Sequence, residues 1–418
     1  MSNKIFVLGF TSLLVFSLTL NSCKKRLDNV EDPKPTPTSS QSGNPEPTPP
    51  NPKPTPTSNP NGEPTPTPNP NPNLNSIGIF FNNAYKGLAQ DNKDTIKKDP
   101  KSPYKVMLNL IESAQSKIDI AIYDLGDEEI AQSFVNANKR GVKVRVITDT
   151  DNINKKGINL LKNVQIPIIE DKRSRIMHDK FIIIDDNLVW TGSMNLTSSS
   201  LYEHNNVSIF YKSTDMVTIF QNEFNSMFEK KIFDGSNHSN QNNEVSIDGN
   251  IPVKTYFSPK GNTKNAIVEE LKKAKKSIKF MAFSFTDKDM VQIMIDKNNN
   301  NVKVQGIFDG CQLGSQYSAY HTLKSSKVEI YRDGNQALMH EKNMIIDDET
   351  VITGSFNFSA NADKNNNENC MIIKSPEVAK VFSDEYDKLK TSAKTNTNLP
   401  PYNSPGCSGN GGAESNLY

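Results

Sequence analysis

The hydrophobic positions along this chain fall into short apolar runs that are separated by longer segments with helical periodicity. Runs such as 142–147 (VKVRVI) and 181–184 (FIII) have the length of buried strands. Segments such as 106–114 place apolar residues three and four positions apart, which is typical of an amphipathic helix. Because strands and helices alternate, the pattern predicts an α/β fold with mixed β-sheet.

The same succession of elements occurs twice along the chain. We assign the first copy to residues 77–233 and the second to residues 252–392, with a linker at 234–251 and a flexible tail at 393–418. Each copy opens with a short strand, continues with a helix that leads into an apolar strand, and then repeats helix and strand. The duplication predicts two tandem repeats of one α/β unit.

The segment before the first copy has the composition of an export and anchoring sequence. Its apolar stretch is too short for a comfortable membrane span and ends at Leu20-Asn21-Ser22-Cys23, which resembles a bacterial lipobox. We interpret residues 1–23 as a lipoprotein-type signal peptide with Cys23 as the lipidated residue; an ordinary secretory signal is the alternative. Residues 24–76 are rich in proline and predict a disordered stalk. We therefore expect an exported protein, lipid-anchored to the periplasmic or cell-surface face of a bacterial membrane.

Composition argues against several classes of function. The chain has 48 Lys and Arg against 47 Asp and Glu, a formal net charge of +1, whereas a protein that binds nucleic acid mainly through phosphate contacts is normally basic. Its four cysteines lack a Cys-x-x-Cys pair and its histidines number only five, so no zinc-ligand pattern is present. We expect neither a metal nor another cofactor.

Two motifs of identical spacing carry the candidate chemistry. The first copy reads MHDKFIIIDDNLVWTGSMN and the second reads MHEKNMIIDDETVITGSFN, with the two histidines 340 − 178 = 162 positions apart. A histidine and a lysine two positions apart on a strand point to the same side, so an imidazole stands beside a cation that suits a phosphate oxygen. The candidate site residues are His178, Lys180, Asp185, Ser193 and Asn195 in the first copy, and His340, Lys342, Asp347, Ser355 and Asn357 in the second.

The pattern resembles the repeat motif of the phospholipase D superfamily, His-x-Lys-x4-Asp-x6-Gly-Gly/Ser-x-Asn, over residues 77–392. The resemblance implies two mixed sheets flanked by helices and packed about a pseudo-twofold axis, so that a monomer carries both motifs in one pocket. It implies that one histidine attacks phosphorus to form a phosphohistidine, while the other protonates the leaving alcohol and then activates water. Both lysines and both asparagines would hold phosphate oxygens without a metal. The motif aspartates, Asp185 and Asp347, would support the site rather than carry protons.

The two copies differ after the motif. Glu368 lies 368 − 340 = 28 positions after His340, where the resemblance implies a carboxylate that orients the imidazole of the opposite repeat. An alignment with one residue fewer in the first copy places Asn205 at that position. An anionic partner stabilises an imidazolium, so we predict that His178 is the nucleophile and His340 the acid/base. The alternative is that Glu203 shifts into the place of the missing carboxylate.

The motif alone does not distinguish the phosphodiester that is cleaved, because the superfamily contains phospholipid hydrolases, phosphatidyl transferases and nucleases. A lipid anchor and a near-neutral charge favour a membrane phospholipid. The basic loop Lys172-Arg173-Ser174-Arg175 would attract either headgroups or a nucleic-acid backbone, so a metal-independent nuclease is the alternative. A non-enzymatic surface adhesin on the same scaffold is a third interpretation, and two complete motifs argue against it.

Overall fold

The computed structural model describes residues 76–82, 90–238, 243–396 and 399. The predicted signal peptide with Cys23, nearly all of the predicted stalk and most of the predicted tail lie outside these residues. Within them, no helix is both long enough and apolar enough to cross a bilayer.

The first repeat alternates strands and helices as the hydrophobic pattern predicts. Its elements are β1 (Ile77–Phe81), α1 (Gln90–Lys98), α2 (Pro103–Ser113), β2 (Lys117–Ile122), α3 (Glu128–Lys139), β3 (Lys143–Thr148), α4 (Lys156–Asn163), β4 (Ile168–Glu170), β5 (Lys180–Ile184), β6 (Leu188–Gly192), α5 (Ser198–Tyr202), β7 (Val207–Lys212) and α6 (Thr214–Phe228).

The second repeat has the same order of elements, except that it has one extra strand at its start and one helix, α7, where the first repeat has α1 and α2. Its elements are β8 (Glu244–Ile247), β9 (Ile251–Ser258), α7 (Thr263–Lys273), β10 (Ser277–Ala282), α8 (Lys288–Asn299), β11 (Lys303–Phe308), α9 (Ala319–Ser325), β12 (Glu329–Arg332), β13 (Lys342–Ile346), β14 (Thr350–Gly354), α10 (Ala360–Lys364), β15 (Glu368–Lys374) and α11 (Pro376–Thr395). Strand β8 lies inside the segment predicted as a linker, and α11 extends into the segment predicted as a tail.

Two pairs of equivalent helices in the two repeats begin with the same type of capping residue. The Asp127 carboxylate accepts the backbone N–H groups of the first turn of α3, and Asp287 does the same for α8. Helices α6 and α11 are capped by Ser213 and Ser375 in the same way. Each cap satisfies amide donors that a helix leaves unpaired, so the helices begin at defined positions.

The strands form two mixed sheets, which confirms the predicted fold class. The seven-stranded sheet has the order β1-β7-β6-β5-β2-β3-β4 and the eight-stranded sheet the order β12-β11-β10-β13-β14-β15-β9-β8. Strands β2, β3 and β4 are parallel, and β5 runs antiparallel to β2. The carboxyl ends of β2, β3 and β4 therefore meet the beginning of β5 at one edge, which we call the motif edge; β10 to β13 repeat this arrangement.

The two repeats share a central hydrophobic core. Residues of both sheets and of α6 and α11 form one continuous cluster of buried side chains, while each repeat has a further cluster under its remaining helices. Two reciprocal parallel bridges, Met177 to Asn367 and Asn205 to Met339, join the loops of one repeat to those of the other. This reciprocity is the pseudo-twofold relation that the duplicated sequence implies.

Candidate active site

Each histidine lies two residues before a strand that begins with the motif lysine, β5 or β13, which we call the motif strands. At this boundary between the repeats, the opposite repeat holds the backbone of each histidine. The His178 N–H donates to the Asn367 carbonyl at 2.9 Å, and the His340 N–H donates to the Asn205 carbonyl at 2.8 Å. His178 is fully buried and His340 is 1% exposed. Backbone pairing between repeats therefore fixes both histidines at their shared boundary.

Buried aspartates hold the residue before each histidine. The Met177 N–H donates to Asp149 Oδ2 at 2.8 Å, and the Met339 N–H donates to Asp309 Oδ2 at 2.9 Å. Burial, reinforced by the negative charge of Asp171, raises the pKa of Asp149 to about 6, although backbone N–H donors oppose the rise. Burial raises the pKa of Asp309 to about 7 in the same way. These aspartates lie at the ends of β3 and β11 and position the motif strands.

The two imidazoles have chemically different partners. His178 Nδ1 lies 2.7 Å from Glu368 Oε2, so the carboxylate of the second repeat reaches the histidine of the first, as predicted. His340 Nδ1 lies 2.9 Å from Asn206 Oδ1. With Nδ1–H donating to each oxygen, the lone pair of each neutral ring is on Nε2.

The prediction that Asn205 is the counterpart of Glu368 is wrong. The spacing 206 − 178 equals 368 − 340, so no residue is missing from the first repeat and Asn206 occupies the equivalent position. Asn205 instead contributes its backbone carbonyl to His340, and its Oδ1 accepts from Asn335 Nδ2 at 2.7 Å. The alternative with Glu203 is also wrong, because an amide oxygen rather than a carboxylate stands against His340.

The serine of each Gly-Ser-x-Asn motif orients the partner of the opposite imidazole. Ser355 Oγ donates to Glu368 Oε2 at 2.7 Å, and Ser193 Oγ donates to Asn206 Oδ1 at 2.9 Å. The preceding glycine is required by the backbone. Gly354 has φ +145°, and a Cβ there would lie 2.3 Å from the Asn369 carbonyl oxygen. The glycine thus permits a close approach between neighbouring strands, and the serine that follows it places a hydroxyl against the partner of the imidazole.

The motif lysines are buried beside the histidines. Lys180 Nζ donates to the His178 carbonyl at 2.9 Å, and Lys342 Nζ donates to the His340 carbonyl at 2.7 Å. The ammonium groups also lie over aromatic rings, Lys180 over Tyr123 at 5.2 Å and Lys342 over Phe283 at 4.8 Å. Each imidazole therefore has a positioned cation close by, as the spacing predicts.

The motif asparagines, Asn195 and Asn357, are buried just after β6 and β14. Among the described residues, neither the amide nitrogen nor the amide oxygen of Asn357 has a hydrogen-bond partner. A buried amide without partners costs free energy, and a ligand oxygen that accepts from its N–H₂ would remove part of that cost. Asn357 is therefore suited to the phosphate-binding role implied by the resemblance.

The motif aspartates lie at the far end of their strands from the histidines. Asp185 accepts the backbone N–H groups of Gln115 and Ser116 at 2.7 Å each and of Lys117 at 3.0 Å. Asp347 accepts three backbone N–H groups before and at the start of β10 in the same way. Burial raises the pKa of both carboxyl groups, but the backbone donors outweigh it and the pKa of each is lowered. Each aspartate therefore fixes the loop that leads into a central strand, away from the histidines, and neither is placed to act as a catalytic residue.

The residue between histidine and lysine is a buried acid that sequence reasoning missed. Asp179 is fully buried and its Oδ1 accepts from Asn369 Nδ2 at 2.9 Å. Burial, with the nearby charge of Glu223, raises the pKa of Asp179 to about 8. Burial also raises the pKa of Glu341, the equivalent residue of the second repeat. The available signal was an acidic side chain within a strand buried on both faces.

The structure narrows the predicted basic loop to two exposed cations. In the basic loop only Lys172 and Arg175 are exposed cations, because Arg173 donates to the Phe233 carbonyl at 2.7 Å and hydrogen-bonds Asn367 Oδ1. His204 lies close to the site, with its ring 6.2 Å from that of His340. In the described parts of the chain, no group of three or more His, Cys, Asp or Glu side chains is arranged to hold a metal ion.

Comparisons with known proteins agree with this geometry. The family model described as "Cardiolipin synthase, PLD-like domain" matches residues 107–228 and 267–390. A phospholipase D from Rickettsia prowazekii is 30% identical over 170 residues, which cover 41% of this chain and 83% of that protein. A mitochondrial cardiolipin hydrolase from Mus musculus is 29% identical over 135 residues, 32% of this chain and 60% of that protein. The crystal structure of phosphatidylserine synthase from Haemophilus influenzae shares the fold, with a TM-score of 0.54, 15% identity and coverage of 78% of this chain and 88% of that one.

Proposed function

This chain belongs to the phospholipase D-like domain family, and from that premise we propose that it cleaves the phosphodiester bond of membrane phospholipids through a phosphohistidine at His178. The observation that carries the proposal is the unequal pairing of the imidazoles, with Glu368 against His178 and Asn206 against His340. A carboxylate stabilises the positive charge that develops on an attacking imidazole, whereas a neutral amide oxygen does so less well.

The proposed reaction has two balanced steps. His178 Nε2 attacks phosphorus, the bond from phosphorus to the leaving alcohol breaks, and the protonated Nε2 of His340 gives its proton to the alcohol oxygen. A water molecule then attacks phosphorus, its proton returns to His340, and the phosphorus–nitrogen bond breaks to release the product. Lys180 and Lys342, with Asn195 and Asn357, stabilise the charge on the non-bridging oxygens.

Phospholipid is the proposed substrate because of the relatives' own names and the expected export of this chain. Those relatives are named for phospholipase D and cardiolipin hydrolase activities. A metal-independent nuclease is the second candidate, favoured by the exposed cations Lys172 and Arg175 near the motif strand. The full chain is offered mixed phospholipid vesicles and, separately, plasmid DNA, each with and without EDTA. Release of phosphatidic acid with and without EDTA supports the proposal. Nicking of DNA without release of phosphatidic acid supports the nuclease. Complete loss of activity in EDTA, restored by Zn²⁺ or Ca²⁺, contradicts the metal-free mechanism.

We also propose that the protein reaches its substrate as a lipoprotein anchored through Cys23. The support is the lipobox-like Leu20-Asn21-Ser22-Cys23 and the proline-rich segment after it. Mass spectrometry of the membrane-extracted protein should find a mature chain that begins with lipid-modified Cys23. An unmodified Cys23 in a soluble secreted form would overturn this part of the proposal.

A further inference from the structure

The two repeats differ in how their outer edge strands are covered. In the second repeat α11 continues to Thr395 and covers β12: Lys390 Nζ lies 2.8 Å from Glu329 Oε1, and Lys390 and Lys394 each lie 5.3 Å from the centre of the Tyr331 ring. In the first repeat the corresponding helix, α6, ends at Phe228. The two helices are capped at equivalent positions, Ser213 and Ser375, so Phe228 corresponds to Lys390. Strand β4, the counterpart of β12, therefore lacks the last five residues of helix, 391–395, that α11 has in the second repeat.

An apolar groove of about 730 Å³ follows the uncovered β4 edge. Its apolar lining comprises Ile153, Ile166, Ile168, Ile169 and Phe233. Pairing with β3 places Ile169 opposite Ile147, as pairing with β11 places Tyr331 opposite Ile307. The aromatic ring and helix that fill this position in the second repeat are thus replaced in the first by a smaller side chain and open space. A groove of this volume lies in the usual range for small-molecule sites.

The rim of the groove is positively charged. Lys162, Lys172 and Lys231 line it and are exposed. Of the two acids at the rim, Asp171 is engaged by Arg173 at 3.3 Å, which leaves Glu170 against three lysines. An apolar groove with ammonium groups along its rim is complementary to a ligand that has a hydrocarbon part and an anionic part.

The groove adjoins the candidate active site through one loop. Asp171 and Lys172 line the groove at the end of β4, and the same loop leads into His178 at the motif edge. Seven residue steps separate Asp171 from His178, a distance of at most roughly 25 Å along an extended chain. The Phe233 carbonyl at the groove accepts from Asn367, the residue before Glu368, at 3.1 Å. A ligand in the groove therefore lies beside the loops that position His178 and its carboxylate partner.

From the apolar lining, the lysine rim and the shared loop, we infer that this groove binds an acyl chain of the phospholipid substrate, with the lysines against the lipid phosphates. The inference rests on the proposed phospholipid cleavage and adds where the substrate lies: its hydrophobic part is held by the first repeat, on the side of the proposed nucleophile. Each methylene group that leaves water strengthens binding by about fourfold, so methylenes in the groove favour longer-chain over shorter-chain lipids when both are offered as monomers in water.

The apolar half of the inference is tested by filling the groove. Ile169→Tyr copies the residue that the second repeat has at this position, so the backbone accommodates it. With the full chain we expect kcat/KM toward monomeric dihexanoyl phosphatidylglycerol, whose chains are in water before binding, to fall roughly tenfold or more, since two or more methylenes are displaced at about fourfold each. The rate with bis(p-nitrophenyl) phosphate, a soluble diester without acyl chains, should be unchanged.

The charged half is tested by reversing the rim. Lys172→Glu with Lys231→Glu should lower vesicle hydrolysis and its sensitivity to salt, while Lys276→Glu with Lys380→Glu, an equal change of charge at exposed positions of the second repeat, should not. Unchanged lipid hydrolysis in the groove variants overturns the inference and leaves the proposed function standing. Equal losses with both substrates also overturn it, as does a loss confined to plasmid nicking. A wild-type chain that cleaves only the soluble diester instead refutes the proposed function itself.

Discussion

Replacement of Glu368 by glutamine tests the inequality of the two histidines. Glu368 is fully buried, lies 2.7 Å from His178 Nδ1 and accepts from Ser355 Oγ at 2.7 Å. Glutamine keeps an oxygen for both contacts, as Asn206 does in the other half of the site, and removes the charge together with the longer contact from Asn366 Nδ2 at 3.3 Å. Hydrogen bonds to charged groups contribute about 1.5–3 kcal/mol and neutral ones about 0.5–1.5 kcal/mol. The expected loss of transition-state stabilisation is therefore about 1–2 kcal/mol, or about 5- to 30-fold in the rate of adduct formation.

The assay is the pre-steady-state release of p-nitrophenol from an activated phosphodiester, because this leaving group needs little protonation and the burst reports attack by the nucleophile. Glu368→Gln should slow the burst by that factor, with an unchanged unfolding transition. Asn205→Ala is the matched control, since the Asn205 side chain contacts Asn335 rather than an imidazole, and its burst should match the wild type. An unchanged burst in Glu368→Gln would show that the carboxylate does not assist the attacking imidazole.

Three further predictions concern stability. Asp347→Ala should lower the free energy of unfolding by about 2 kcal/mol, since three backbone N–H groups lose a charged acceptor, while turnover per folded molecule stays the same; in the wild type this contribution is lost as pH falls below 3.8, the ordinary pKa of the group. The pKa of Asp179 in the folded state is about 8, so the wild type loses stability as pH rises from 5 to 8. The stability of Asp179→Asn relative to the wild type, measured by urea unfolding, should therefore increase over that range. A constant difference would contradict a buried, protonated acid. Gly354→Ala should cost about 3 kcal/mol or more because its Cβ meets the Asn369 carbonyl, whereas Gly249→Ala, with φ +76° and no atom within 4 Å, should cost about 1 kcal/mol; equal losses would refute the steric argument.

The elements that sequence reasoning predicted best are those set by local periodicity and exact repetition. The resemblance to phospholipase D repeats implied the pairing of Glu368 with His178, and the spacing of His178 and Lys180 placed both at one edge. The same comparison misassigned Asn205, because two adjacent asparagines accept an alignment gap without any change in residue type. The hydrogen bond between His340 Nδ1 and Asn206 Oδ1 shows which of them faces the imidazole.

Features that depend on long-range packing were not predictable. The motif spacing made Asp185 look like a member of the site, whereas the structure uses its carboxylate on a loop at the opposite end of the strand. Burial of Asp179 depends on layers from both repeats. The groove at β4 arises because α6 ends before it covers the edge strand while α11 does not, a difference that the matched motifs conceal.

The central claim is that His178 carries the phosphoryl group and His340 the proton. The most direct measurement is peptide mass spectrometry, under conditions that preserve phosphohistidine, of rapidly quenched His178→Ala and His340→Ala variants given a p-nitrophenyl phosphodiester. Loss of the acid/base is tolerated in the first step with this leaving group, but water attack then stalls. The His340→Ala variant should accumulate an adduct on the peptide that contains His178, and the His178→Ala variant should form none. An adduct on His340 in the His178→Ala variant, with none on His178, would reverse the assignment.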